Sequence, residues 1–245
     1  LKYPIKIQKK KNIERISIQG LNQFKAFDYT VPGDISSAAF FIVLTILSEN
    51  SRMVIKNVNI NKSRIGIITI LKKMNCKIIL KNKKIYKGEK IADIFIKSSK
   101  VLKPINCPPS LNSSAIDELL LIFLVAGIKT KGISRFYQLG ELNKKESPRL
   151  NIAIKFLRMI GIKVSRYNDN IKIYGNPKIN LNGNYHIKNF LKDHRIFMMS
   201  CVAALTLGGK WKINDKDSIK TSFPKFLNIL KDLGAKINWK KEKIL

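Results

Sequence analysis

The sequence predicts an α/β fold assembled from repeated units, and three observations lead there. Three segments carry an amphipathic helical pattern, a tight turn and then a strand opening with Lys: residues 70–78, 156–164 and 229–237. Three others place polar residues before an unbroken apolar run: residues 38–47, 119–126 and 196–205. The two kinds alternate along the chain, giving a unit of roughly 80 residues that recurs, as repeat architectures do.

Asp34-Ile35-Ser36-Ser37 precedes the first apolar run, and Asp or Ser there caps the free N–H groups of a helix start. Apolar on nearly every side, that helix is expected inside a domain. The polar stretch Asn59-Ile60-Asn61-Lys62-Ser63 then separates two regular segments, so a domain boundary is drawn there: residues 1–62 end one domain and residues 63–245 form a second. Asn75, Gly161 and Gly234 end the three amphipathic helices, a position that usually needs a left-handed backbone. Alternation over residues 77–80 marks the first strand that follows.

Asp117-Glu118 opens the most apolar helix of the chain, so Asp117 is either a helix cap or a functional acid. Ser147-Pro148 reads as an N-cap with proline at the first helical position, leaving Lys145 and Glu146 just outside the helix and Arg149 in its first turn. Cations there oppose the helix dipole, and an anionic ligand would reverse the balance. Asp193-His194-Arg195 likewise sets an Arg at the threshold of the third apolar run. If the polar helix starts converge on one side, several positive helix ends face one site suited to phosphate or carboxylate.

Composition narrows the function classes. With 45% apolar residues, the 245-residue chain has material for a sizeable core. The net charge of +31 suggests nucleic acid at first sight. Only eight of the 47 basic residues are Arg, however, and the lysines are spread among Ile and Asn in nearly every segment. That spread argues for biased composition over a selected patch, so no nucleic-acid partner is expected; the charge still attracts small anions. A basic nucleic-acid-binding module stays as the alternative from another class. Cys76, Cys107 and Cys201 lie far apart with no metal-ligand spacing, which fits thiols in a reducing, cytoplasmic compartment. No stretch approaches the ~18 apolar residues of a membrane span, so no membrane partner is expected. The chain begins Leu1-Lys2-Tyr3-Pro4, with neither an initiator Met nor a signal peptide, and reads as one entered midway.

Five motifs in order carry a resemblance over nearly the whole chain. Gly33-Asp34-Ile35-Ser36-Ser37-Ala38-Ala39-Phe40 resembles the GD-x-SSA-x-F element of EPSP synthases. Ile116-Asp117-Glu118 resembles the IDE element, Lys145 to Arg149 the KESDR element and Asp193 to Ile196 the DHRI element. Ser222-Phe223-Pro224 with Phe226 resembles the terminal SFP-x-F element, and Thr221 before it points to the bacterial glyphosate-tolerant subgroup. The UDP-N-acetylglucosamine enolpyruvyl transferases share the fold and are the nearest rival, but KES-x-R with DHRI and SFP favours the shikimate enzyme.

The resemblance implies an inside-out α/β barrel of βαβαββ units, here the last part of an N-terminal domain with a complete C-terminal domain. It implies transfer of the enolpyruvyl group from phosphoenolpyruvate to the 5-hydroxyl of shikimate-3-phosphate, with no metal or organic cofactor. Asp117 would bind the shikimate hydroxyls and accept a proton from the attacking one. Lys145 would contact both substrates and help with proton transfer, and Glu146 would handle the proton at the methylene carbon. Arg149 and Arg195 would hold phosphoenolpyruvate, and Tyr29 would contact shikimate-3-phosphate. Glyphosate-type inhibitors are possible ligands, and the full-length protein is expected to be a monomer.

Departures are Pro148 for the family's Asp, Asn143 for an Arg, Leu120 for a Pro and Asn75 for a Gly. Pro148 and Asn143 also suit a decayed enzyme kept as a scaffold. The family's N-terminal Lys-Ser…Arg cluster and Gly-rich phosphate segment are not found in this sequence, so this polypeptide alone is expected to be inactive.

Overall fold

Helices without a polar side belong in a core. A computed structural model describes residues 5–11, 13–20 and 26–238. The chain divides into two units, Leu1–Val31 and Pro32–Leu245. In the smaller one, β1 (Ile5–Lys10) and β2 (Ile13–Ile18) form an antiparallel hairpin. Its cross-strand pairs Ile5–Ile18 and Ile7–Ile16 set four isoleucines on one exposed face.

The larger unit runs α1 (Ile35–Leu47), β3 (Arg52–Asn59), α2 (Gly66–Lys73), β4 (Lys77–Tyr86) and β5 (Glu89–Lys97). It continues with α3 (Asn112–Ala115), α4 (Leu119–Lys129), β6 (Gly132–Phe136), α5 (Arg149–Met159), β7 (Lys163–Tyr167) and β8 (Asn170–Gly175). It ends with β9 (Leu181–Ile187), α6 (His194–Thr206), β10 (Gly208–Ile213) and α7 (Phe226–Asp232). Residues 35–59 thus lie in the larger unit, although the sequence reading drew its boundary after residue 62.

The three apolar runs are α1, α4 and α6, which pack against one another. Every residue of α4 from Leu119 to Ile128 is buried. The amphipathic segments are α2, α5 and α7, each burying one stripe. They end as expected on left-handed residues, Asn75 (φ 71°), Gly161 (φ 84°) and Gly234 (φ 96°).

Each repeat brings a segment before its apolar helix parallel to the strand after it. In the first repeat that pairing is the single bridge Gly33–Val58, and in the second it is Leu102–Thr130 and Asn106–Arg135. In the third it is a parallel pair, β9 with β10. An amphipathic helix follows, then in the first two repeats a hairpin whose second strand is central: β3-β5-β4 and β6-β8-β7, both antiparallel. Both sheets thus complete the βαβαββ pattern. The strand expected to open at Lys236 does not form through residue 238, and the remainder of that segment lies outside the described residues.

Gly66 brings the first and second repeats together. A Cβ on it would stand 2.6 Å from the carbonyl carbon of Ser114 and 2.7 Å from the backbone nitrogen of Ala115. Only glycine lets the start of α2 lie that close to α3. Among the described residues no single helix is long and apolar enough to cross a membrane.

Candidate active site

The starts of α1, α4, α5 and α6 are linked directly by side-chain bonds, so the expected convergence of helix N-termini is found. Asp34 and Asp193 are helix caps, accepting from the N–H groups of Ser37 and Arg195. Asp117 is not. It sits at a corner where the axes of Pro109–Ala115 and Leu119–Lys129 differ by 117°, and the helix that follows starts without a side-chain cap bond.

Four cations surround that carboxylate. Arg149 Nη1 lies 3.2 Å from Oδ1 and Lys145 Nζ 3.7 Å from the same oxygen. Arg64 Nη1 and Arg195 Nη2 lie 3.6 and 3.7 Å from Oδ2. Burial pushes the Asp117 carboxyl up, but Arg195, Lys145, Arg149 and Arg64 together hold it below the usual Asp value. At neutral pH Asp117 is an ionised acceptor with a partly open side chain, 19% exposed. Its neighbour Glu118 goes the other way. Burial raises the Glu118 carboxyl, only partly opposed by Ser36 and Arg195.

Arg149 is the first residue of α5 but is 1% exposed. Its Nε donates to Asp193 Oδ2 at 2.8 Å, and its Nη2 donates to Glu146. Ser147, expected as the N-cap of α5, instead donates its hydroxyl to Asp193 at 2.7 Å; Pro148 takes the cap position with no side-chain bond. A proline there has no N–H, and the Asp193 carboxylate is the stronger acceptor. The unfavourable cation at this helix start is therefore compensated by the protein's own acids, where the sequence reading invoked a ligand.

Glu146 keeps a 56% exposed side chain, and Lys145, 25% exposed, also reaches Glu141 at 3.5 Å. Burial and Arg195 push the His194 imidazole down, so it is neutral at pH 7. Asp117, Lys145, Glu146, Arg149 and Arg195 thus form one cluster. Tyr29 belongs to the smaller unit, where its ring meets Phe27 edge-on at 6.2 Å.

Sequence reasoning missed Arg64, Ser36 and Glu118 as parts of this cluster. Ser36 donates to Glu118, and Arg195 Nη1 reaches the same Glu118 oxygen at 3.4 Å. Arg64 lies in a loop of Asn, Lys and Ser, and its one sequence signal is being the lone Arg there, two residues before a glycine. The arrangement can hold anions by displacing internal acids, and can take a proton at Asp117 and pass one at Glu146.

A family model described as EPSP synthase (3-phosphoshikimate 1-carboxyvinyltransferase) matches residues 2–230. The 3-phosphoshikimate 1-carboxyvinyltransferase of Ruthia magnifica subsp. Calyptogena magnifica is 39% identical over 231 residues, covering 93% of this chain and 51% of that protein. The one from Zymomonas mobilis is 35% identical over 233 residues, covering 94% and 51%. EPSP synthase from Acinetobacter baumannii superposes with a TM-score of 0.83 at 31% identity, over 98% of this chain and 53% of that one. The enolpyruvyl transferase NikO from Streptomyces tendae, at 14% identity and a TM-score of 0.69, shares the fold. The chain spans about half the length of the curated relatives it matches. With the match running through all three repeats and every element of the site, the chain belongs to the EPSP synthase family.

Proposed function

We propose that this chain supplies the proton-transfer and phosphoenolpyruvate-holding half of a 3-phosphoshikimate 1-carboxyvinyltransferase. Its reaction is transfer of the enolpyruvyl group from phosphoenolpyruvate to the 5-hydroxyl of shikimate-3-phosphate, with release of phosphate. The single observation that carries the reading is Asp117, a carboxylate kept ionised by four cations and set beside Lys145 and, through Arg149, Glu146.

In this reading Asp117 accepts the hydroxyl proton as the oxygen attacks the enol carbon that carries the phosphate of phosphoenolpyruvate. Glu146 delivers a proton to the methylene carbon and makes it a methyl group. In the elimination Glu146 takes a proton back from the methyl group as the C–O bond to phosphate breaks and phosphate leaves. Lys145 and Arg195 face the anionic groups of the substrates, and charge neutralisation lets two anions approach one another. Arg149 joins them once a substrate carboxylate or phosphate takes the place of Glu146 on its Nη2, which also frees Glu146 for its proton. Tyr29 is proposed as a shikimate-3-phosphate contact on the family resemblance alone.

The larger unit corresponds to the C-terminal enolpyruvyl transferase domain, an inside-out barrel, and the smaller to the end of the N-terminal one. A monomeric cytoplasmic enzyme when full length, open to glyphosate-type anions at the phosphoenolpyruvate position, follows from the same reading. Thr221 before Ser222-Phe223-Pro224 supports the glyphosate-tolerant subgroup.

The test is complementation. Co-expressed with the N-terminal half of a family member, the chain should release phosphate from the two substrates, and Asp117→Ala and Glu146→Ala should each abolish release. A folded, assembled complex that releases none would overturn the reading.

A further inference from the structure

Five side chains from three repeats close a circuit behind Asp117. Arg64 Nη1 faces Asp117 Oδ2 at 3.6 Å, and Arg195 Nη2 faces the same oxygen at 3.7 Å. Arg195 Nη1 reaches Glu118 Oε1 at 3.4 Å, and the Ser36 hydroxyl donates to that same oxygen. Arg64 Nη2 donates to Ser36 Oγ at 2.9 Å, which returns the circuit to its start.

The direction of both hydrogen bonds at Ser36 is fixed. Ser36 has one hydroxyl proton, given to Glu118, and its lone pair takes the Arg64 N–H. Ser36 and Glu118 are 5% and 2% exposed, so water is not a ready substitute. Arg64 is the exception, with a 45% exposed side chain. It is also the contact through which the first repeat reaches the Asp117 carboxylate. A planar guanidinium can hold Ser36 and Asp117 together from its two terminal nitrogens, which an ammonium cannot.

We propose that Arg64 is a positioning residue for Asp117, fixing the direction of its carboxylate while α1 and α4 stay tied through Ser36 and Glu118. The proposal rests on the reading of Asp117 as the proton acceptor. The groups facing Asp117 are Arg64, Lys145, Arg149, Arg195 and the adjoining Glu118. Loss of one of the four cations destabilises the ionised form and raises the pH at which Asp117 titrates.

The experiment has two arms. In the first, the carboxyl carbons of 13C-Asp-labelled chain are titrated by NMR, with Asp117 assigned through Asp117→Asn. In Arg64→Gln the Asp117 midpoint should move up in pH, whereas in Lys62→Gln it should not. In the second, the complemented enzyme carrying Arg64→Gln should lose about tenfold in kcat with KM little changed, and the acid limb of kcat/KM should move up as well. An Asp117 midpoint and an acid limb both unmoved would overturn the proposal even if kcat falls, since a mere brace has that effect. Should Arg64→Gln fail to fold, Arg64→Lys decides: the midpoint should stay near that of the parent while kcat drops, and an unchanged kcat overturns the proposal. The NMR arm needs no turnover. A midpoint shift beside an inactive parent complex would sink the enzyme reading and leave the coupling of Arg64 to Asp117 standing.

Discussion

Arg149 and Asp193 form a buried pair in which Nε donates to Oδ2 at 2.8 Å and Nη2 to Oδ1 at 3.4 Å, with side chains 1% and 0% exposed. The pair joins the start of α5 to the start of α6. Taking both charges out of water is costly, and the cost is offset only when the remaining lone pairs and protons are also satisfied. Here they are, since Asp193 also accepts from the Ser147 hydroxyl and the Arg195 N–H.

Removing Asp193 therefore breaks the buried pair and leaves the Arg149 Nε without its acceptor, with Asp117 and Glu146 as the acids that remain. Asp193→Ala should cost about 3–5 kcal/mol of stability, read as a lower urea midpoint. The pair also sets a pH dependence. Burial pushes the Asp193 carboxyl up, but Arg149, Ser147 and the Arg195 N–H together hold it below the usual Asp value. Its stabilisation is thus fully present above the unfolded Asp pKa of about 3.9 and is lost as pH falls through the lower folded value. Urea midpoints compared at pH 7 and pH 3 should converge between parent and Asp193→Asn. A constant gap would refute the ionic account.

Gly66→Ala should destabilise by about 1–3 kcal/mol, because the added Cβ meets backbone atoms of Ser114 and Ala115 that have no room to rotate away. It also meets Ser114 Oγ at 2.5 Å. The double variant with Ser114→Ala separates the two contacts: the urea midpoint should recover little. Full recovery would show that the hydroxyl alone was in the way.

All three cysteines are buried, and burial pushes the thiols of Cys76 and Cys201 up to about 12 and that of Cys107 up to about 11, with Lys73 opposing slightly at Cys107. Since the thiolate is the reactive form, none should react with a thiol reagent at pH 8 while the protein is folded. All three should react in denaturant. Fast labelling of one cysteine in the native protein would mean that its neighbourhood opens.

The helices were readable in the sequence because unbroken apolar runs and one-sided stripes are strong, local signals, and the residues ending α2, α5 and α7 need a backbone that Gly and Asn adopt readily. Asp34 was readable as a helix cap for the same reason. Asp117 was ambiguous because the corner between α3 and α4, where it sits, has no sequence signature. Ser147 misled because a cap and a partner for a distant acid use the same hydroxyl. Arg64 was invisible because its role exists only across three repeats, beyond the reach of any local pattern. The division of the chain after Val31 was not legible for a related reason: α1 packs with helices far along the chain.

The circuit through Ser36, Arg64, Asp117, Glu118 and Arg195 draws on all three repeats, and no single repeat contains a usable fragment of it. The lowered titration of Asp117 is thus a reporter of completed assembly. A nascent chain that has formed one or two repeats lacks Arg195 and with it the full field that lowers the Asp117 titration. Opening any one repeat in the mature protein should silence the chemistry before the other two lose their shape.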